Sequence, residues 1–366
     1  MTSHLNEHGK RRKKSRLLAI VSIVAVIALL AAAAIVVFTN EKVGLALGLR
    51  TNDYEGPGTG EVTVRVQDGD WGTDVAHTLV ERDVIKAAEP FIELLDADPT
   101  IVFDVGTYRL KSQMSAKHAL EALQDPENKI SIHVVIPEGF TAHGLFTRTA
   151  EASGLAVEDF EKAAADPQAL GVPEEFETVE GFLFPATYTF DGSASAAEML
   201  TVMVDRMHQA LAEHDVAPED AHRVLTFASL VQRESGQNLD DFGKIARVFQ
   251  NRLDRDMLLQ SDATVAYGTR NFDTVWTTDE ERADPANLYN SYVHKGLPPG
   301  PIGLPGDLAI ASALDPTPGP WLYFVTVNLE TGETKFAEDV AGHERNVAEL
   351  HQWCQTHSGE GGEKCD

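Results

Sequence analysis

The spacing of apolar and polar positions changes several times along the chain, and each change marks an expected element. The first run, Leu17 to Phe38, has no polar period: "LLAIVSIVAVIALLAAAAIVVF" carries no charged side chain. At about 1.5 Å per helical residue it reaches roughly 33 Å, enough to cross a hydrocarbon core of about 30 Å. "TNDYEGPGTGE", Thr51 to Glu61, is rich in Gly and polar residues and reads as a linker. "VTVRV" then alternates Val62, Val64 and Val66 as a half-buried strand does, and after "DGD" the spacing of Val75, Leu79 and Val80 becomes helical. "VGTYRL", Val105 to Leu110, predicts a second strand, and "SAKHALEALQ" a second helix with Ser115 as its N-cap. The pattern then echoes itself. "ISIHVVIPEGF", Ile130 to Phe140, is a strand running into an acid-Gly turn, and "TAHGLFTRTAEASG" is again helical. Internal duplication and common turn chemistry both account for the echo.

Further on, Met199, Leu200, Met203, Val204, Met207 and Leu211 recur at helical spacing, a stripe that predicts a core-facing helix. A second helix is predicted after Pro218, Glu219 and Asp220, which make a favourable first turn. Its apolar face runs through Val224, Phe227 and Val231, and the next position on that face is a carboxylate, Glu234. Gly236 is the expected stop just beyond. "GLPPGPIGLPG", Gly296 to Gly306, holds four prolines and four glycines and reads as a rigid wall. "WLYFVTV", Trp321 to Val327, is strand-like, "TGE" turns the chain before Lys335 and Phe336, and the lone His343 reads as structural.

Charge gives the apolar run a direction. Lys10, Arg11, Arg12, Lys13, Lys14 and Arg16 precede it against a single acid, Glu7, whereas the whole chain of 366 residues carries −27. The positive-inside rule keeps such an N-terminus in the cytoplasm and sends the rest outside. A cleaved signal peptide would also begin this way and "AAAA" mimics a cleavage site, but the run exceeds the roughly 7 to 15 residues of a signal core. A strongly acidic exported body argues against nucleic acid, because phosphate contacts need Lys and Arg. Only two cysteines occur, Cys354 and Cys365, at the start of and inside a polar tail; they read as a minor clip or as two thiols, and they are too few for a structural zinc site. No metal or other cofactor is expected.

The acid in "FASLVQRESGQN" is the strongest chemical signal. Apolar neighbours and the negative end of the helix dipole both disfavour its charged form, so the pKa of Glu234 should be raised. A carboxyl kept protonated near neutral pH can donate to a glycosidic oxygen. An ordinary surface Glu at a fraying helix end would look the same in this pattern alone.

The wider segment decides between these readings. "EGFLFPATYTF", "ASLVQRES", "VFQNRL", "LQSDATVAYG" and "LYNSYVHKGLPPGPIGLPG" resemble, in order and approximate spacing, the motifs of the endolytic murein transglycosylase family. The match is specific over 180–306 and looser over most of 62–350. The resemblance implies that Glu234, at the end of the "ASxxxxE" helix, is catalytic. An acid often found two residues earlier is Gln232 here, and the family's usual "FPDTY" is "FPATY", with Ala186 in place of the acid. The implied reaction cleaves the β-1,4 bond between N-acetylmuramic acid and N-acetylglucosamine in peptidoglycan, leaving a 1,6-anhydro end. One acid suffices because the sugar's own 6-hydroxyl attacks, whereas ordinary hydrolysis uses two carboxylates.

Gln260, Ser261, Asp262, Tyr267, Tyr289 and Asn290 offer hydrogen-bonding and stacking groups suited to a glycan. Each also has a structural reading: Ser261 and Asp262 could cap a helix beginning at Ala263, and Asn251 and Arg252 could tie a loop down. The expected architecture is α+β: a basic cytoplasmic tail (1–16), a single N-terminal transmembrane helix (17–38), a linker (39–60), a LysM-like glycan-binding module (61–126), an intermediate α/β region (127–215), a mixed α/β catalytic region (216–353) and a flexible tail (354–366). Expected partners are peptidoglycan strands, the membrane through 17–38 and cell-wall synthases. Two other functions fit the fold: a non-catalytic wall-binding scaffold, and a two-carboxylate hydrolase using Asp240, Asp241 or Asp262.

Overall fold

The structure is a computed structural model that describes residues 21–36, 52–270 and 277–357. Residues 21–36 are helical with every side chain exposed. The ends of the expected span, 17–20 and 37–38, lie outside the described residues, as do the basic tail and Cys365. Among the described residues no helix is long and apolar enough to cross a membrane. Beyond this segment the chain divides into two compact units between Ile130 and Ser131.

Unit one contains β1 (Pro57–Val66), α1 (Gly72–Glu81), α2 (Glu89–Ala97), β2 (Gly106–Met114) and α3 (Ala116–Gln124). The strands pair antiparallel with Val62 opposite Leu110 and Val64 opposite Tyr108. Strand alternation puts Val64, Val66, Tyr108 and Leu110 on the face packed against Val75, Leu79 and Phe91, all at 2% exposure or less. As predicted, Ser115 caps α3 by accepting the His118 N–H. The linker reading fails at 57–60, which belong to β1. Gly58 has φ +74, and a Cβ there would lie 2.5 Å from the Ser112 carbonyl oxygen, so glycine lets the two backbones meet.

Unit two begins within β3 (Lys129–Val135), which pairs antiparallel with β4 (Thr187–Asp191), Ile132 opposite Phe190 and Val134 opposite Tyr188. Between them lie α4 (Ala142–Ser153) and α5 (Val157–Ala164). Thr141 caps α4 by accepting the Gly144 N–H, and Gly154 ends it in the left-handed conformation. Then come α6 (Ala196–Glu213), α7 (Ala221–Glu234), α8 (Phe242–Asp254), α9 (Asp262–Thr269), the short α10 (Asp279–Ala283) and α11 (Asp307–Leu314). A hairpin of β5 (Tyr323–Asn328) and β6 (Glu333–Ala337), with α12 (Val340–His357), completes the unit. The methionine stripe of α6 is core: Met199, Leu200, Met203, Val204 and Met207 are fully buried. His343 stacks on Tyr323 with ring centroids 5.2 Å apart, a packing role.

Helix α7 packs into this core through Val224, Leu225, Phe227, Ala228, Leu230 and Val231, each at most 2% exposed. Burying one such large side chain is worth about 1.5–3 kcal/mol, so the rod that ends in Glu234 is held firmly. It does not stop on Gly236. Ser235 turns the backbone to φ −82, ψ 133, while its N–H and its hydroxyl both donate to the Val231 carbonyl, at 2.9 and 2.7 Å. A hydrogen-bonded exit of this kind leaves Gly236 without a capping role.

Candidate active site

Two sets of contacts surround the end of α7. The first is the rigid wall, fully buried from Pro301 to Gly306. Ile302 N–H donates to Ser229 Oγ (3.0 Å) and Gly306 N–H donates to Gln232 Oε1 (3.1 Å). Leu304 exchanges backbone bonds with the turn after β3: its N–H reaches Phe140 O at 2.7 Å, and Gly139 N–H reaches Leu304 O at 2.8 Å. Arg233 closes the ring by donating from Nη1 to Gly139 O at 3.1 Å. Gln232 therefore ties the wall to the helix.

The second set faces the carboxylate. Ser261 Oγ donates to Glu234 Oε1 at 2.5 Å, so α9 presents its N-terminus to the acid. The helix begins at Asp262, one residue before the start read from the sequence, and Ser261 occupies its N-cap position, but its side chain makes no cap bond; the hydroxyl serves Glu234 instead. Burial dominates the electrostatics and raises the pKa of Glu234 above the ordinary carboxylate range. The Ser261 hydroxyl pulls it back, Asp262 pushes it up, and Arg233 and the Ala263 N–H favour the anion. The half-buried Glu234 thus has a raised affinity for protons and partners that also tolerate its charge.

The other predicted residues separate into distinct places. Asp262 is taken up by its neighbours, accepting from the Thr277 hydroxyl, from Tyr292 Oη at 3.3 Å and from Arg282 Nη1 at 3.5 Å. Gln260 has an exposed side chain on a left-handed backbone, φ +51, and its N–H donates to Ser291 O at 3.0 Å. Asn290 is a correction: it is fully buried, and its amide nitrogen lies within 3.1 Å of the carbonyl oxygens of Glu281, Arg282 and Asp284. It ties a loop and offers nothing to a glycan. Asn251 and Arg252 also tie a loop, donating to the carbonyls of Gly319, Trp321 and Leu322 at 2.8–3.0 Å. Of the other acids, Asp240 is exposed and Asp241 is buried within 3.3 Å of Lys244 Nζ.

Tyr267 and Tyr289 come together, with ring centroids 4.8 Å apart and tilted by 56°. Tyr267 Oη donates to Glu180 Oε2 at 3.3 Å. Glu180, the first residue of "EGFLFPATYTF", had no role in the sequence reading. It is 6% exposed, and the Ala142 N–H at the start of α4 lies 3.0 and 3.1 Å from its two oxygens. Burial raises its pKa to about 7, against the lowering effects of the Ala142 N–H, Tyr267 and Arg233. An acid set among the apolar residues of "VEGFLF" was its sequence signal, and only the surrounding fold gives it meaning. Among the described residues no group of three or more His, Cys, Asp or Glu side chains is placed to hold a metal ion.

The YceG-like family model matches residues 64–349. An endolytic murein transglycosylase of Streptococcus pneumoniae serotype 2 (strain D39 / NCTC 7466) is 29% identical over 321 residues, covering 79% of this chain and 58% of the relative. The chain thus spans less than two thirds of that relative's length. The endolytic murein transglycosylase of Bacillus subtilis (strain 168) is 28% identical over 305 residues, covering 78% of this chain and 83% of the relative. A crystal structure of a YceG-like protein from Listeria monocytogenes matches with a TM-score of 0.52 and 29% identity, covering 78% of this chain and 99% of that one. On the extent of the family match, which takes in both the acid helix and the wall, the chain belongs to the YceG-like family.

Proposed function

We propose that this chain is a membrane-anchored endolytic peptidoglycan transglycosylase with Glu234 as its single acid and base. The observation that carries the reading is the Glu234–Ser261 contact: a carboxyl whose pKa burial raises, at the end of a buried helix, gripped by the N-terminus of a second helix. In its protonated form Glu234 gives its proton to the glycosidic oxygen as the bond from C1 of N-acetylmuramic acid breaks. The 6-hydroxyl of that same sugar closes onto C1, and its proton passes to the Glu234 carboxylate. The acid is restored, no water is consumed, and a 1,6-anhydro end remains. The names of the relatives support this reaction class. Asp262 is less suited to be a second catalytic carboxylate, because Thr277, Tyr292 and Arg282 already engage it.

The apolar run 17–38 supports an anchor with the N-terminus cytoplasmic and the remainder extracytoplasmic. A short tether beyond it would confine cleavage to glycan near the membrane, so newly made strands are the substrate and cell-wall synthases the fitting neighbours. Unit one, where Trp71 is 78% exposed at the start of α1, would serve as a LysM-like glycan-binding aid.

Mass spectrometry of peptidoglycan digested with the purified chain tests the reaction. Anhydro-muropeptides are expected; reducing ends would indicate a hydrolase and absence of cleavage a scaffold. Glu234→Gln keeps the shape but not the transferable proton, and should lower the rate by about 10² to 10⁴-fold or more while the fold persists. A folded variant with parental activity would refute the assignment.

A further inference from the structure

A serine at a helix N-cap ordinarily turns its hydroxyl to the N–H groups of its own first turn, yet Ser261 turns it to Glu234. The main chain around Ser261 is held by groups from other parts of unit two. Arg252 Nη1 donates to Leu259 O at 2.6 Å, Gln260 N–H donates to Ser291 O at 3.0 Å, and Ser261 N–H donates to Ser291 Oγ at 2.9 Å. The Thr264 hydroxyl donates to Ser261 O at 2.7 Å and lies 2.8 Å from Ser291 Oγ. With the Thr264 proton spent on Ser261 O, the Ser291 hydroxyl donates to Thr264 Oγ1 and accepts from Ser261 N–H, which closes a ring. Ser261, Thr264 and Ser291 are each at most 3% exposed, so the ring is shielded from water. We propose that Ser291 is a positioning residue for the acid, gripping the main chain of Ser261 so that its hydroxyl points at Glu234. The catalytic consequence rests on the transglycosylase reading; the contact itself does not depend on turnover.

Ser291 engages both residues of the turn that delivers Ser261, Gln260 through its carbonyl and Ser261 through its hydroxyl. Gln260 has φ +51, a left-handed conformation that a residue other than glycine keeps only where its surroundings fix it. Ser291 is itself fixed by its neighbour. Asn290 is fully buried, and its amide meets the carbonyls of Glu281, Arg282 and Asp284 around the end of α10. A line of hydrogen bonds therefore runs from α10 through Ser291 to the N-terminus of α9 and on to the acid that ends α7. Without that grip the Ser261 side chain would be free to take other rotamers, among them the ordinary cap bond that it forgoes here.

The test follows Glu234 directly in the full chain, by NMR of labelled glutamate carboxyl carbons across pH, with its signal assigned by loss in Glu234→Gln. The Ser261 hydroxyl lowers the pKa of Glu234, so Ser261→Ala should raise it. Ser291→Ala should shift it in the same direction. In a Ser261→Ala background it should add nothing, because a residue that acts through another has no effect once that other is gone. Asp262, Arg233, Arg252 and Tyr292, which also interact with the Glu234 charge, stay in place throughout. On purified peptidoglycan strands Ser291→Ala should lower kcat by about three- to tenfold, the scale of one hydrogen bond, with KM unchanged. Thr264→Val removes the other hydroxyl of the ring and should behave alike, whereas Thr264→Ser keeps it and should titrate as the parent does. Three results would each overturn the proposal: an unshifted Glu234 in folded Ser291→Ala or Thr264→Val, an equal further shift in the Ser261→Ala background, or loss of the fold in both variants, which would make the ring purely structural. Release of anhydro ends by the unaltered chain is a separate readout; if it is absent the reaction fails, and the titration still decides the role of Ser291.

Discussion

At Glu234 the balance of opposing influences can be moved one residue at a time. The Ser261 hydroxyl favours the ionised acid, and burial opposes it more strongly. Ser261→Ala should therefore raise the pKa of Glu234 further and shift the alkaline limb of the rate profile to higher pH. The maximal rate should fall by about tenfold, since a positioning bond worth about 1–1.5 kcal/mol is lost; a pH–rate series on both proteins checks this. Glu180 acts on stability instead. Its pKa is about 7 in the folded chain against 4.5 for an ordinary Glu. Between those values the native state holds a proton that the unfolded state has released, so stability falls as pH rises through this window. The integrated cost approaches about 3 kcal/mol above pH 7. In Glu180→Gln, where Arg233, Tyr267 and the Ala142 N–H stay in place, the melting temperature should decline less between pH 5 and 8 than in the parent.

Elements were legible where one physical rule acts alone. The α6 stripe, the apolar face of α7 and the Ser115 cap follow from periodicity and local hydrogen bonding, and the structure contains all three. What could not be read depends on contacts far apart in the chain. Residues 57–59 look like a linker until β2 pairs with them, Pro57 opposite Met114 and Thr59 opposite Ser112. Gly236 looks like a stop until Ser235 turns the chain with its own hydroxyl. Residue type alone misassigns Asn290, whose amide is spent on backbone carbonyls, and passes over Glu180, an acid that lines a cavity. Of the candidate site, the contact between Glu234 and Ser261 joins two motifs legible in the sequence, whereas the engagement of Asp262 by Thr277, Tyr292 and Arg282 depends on residues 15 to 30 positions away. Gly181 gives a test at this scale. It has φ +76, and a Cβ there would lie 2.3–2.4 Å from the Pro301 ring. Gly181→Ala should destabilise unit two by roughly 2 kcal/mol or more in denaturant titration, combining backbone strain with a forced shift of the wall.

For the whole molecule, the expected topology is open to direct measurement. A reporter fused after Asp366 should be active outside the membrane, and the mature chain should keep its N-terminus; a soluble product cut near Ala34 would replace the anchor with a signal peptide. The two units need not share one melting transition, because each has its own core. Within unit two, however, the wall is an irregular segment wired like a strand. The amides of Ile302, Leu304 and Gly306 end on Ser229, Phe140 and Gln232, two of them on the very helix that carries the acid. Freeing that segment breaks these bonds together, so its amides should exchange with deuterium as slowly as those of α7 and at the same opening free energy. The part of the chain richest in proline and glycine would then be among the last to yield to solvent.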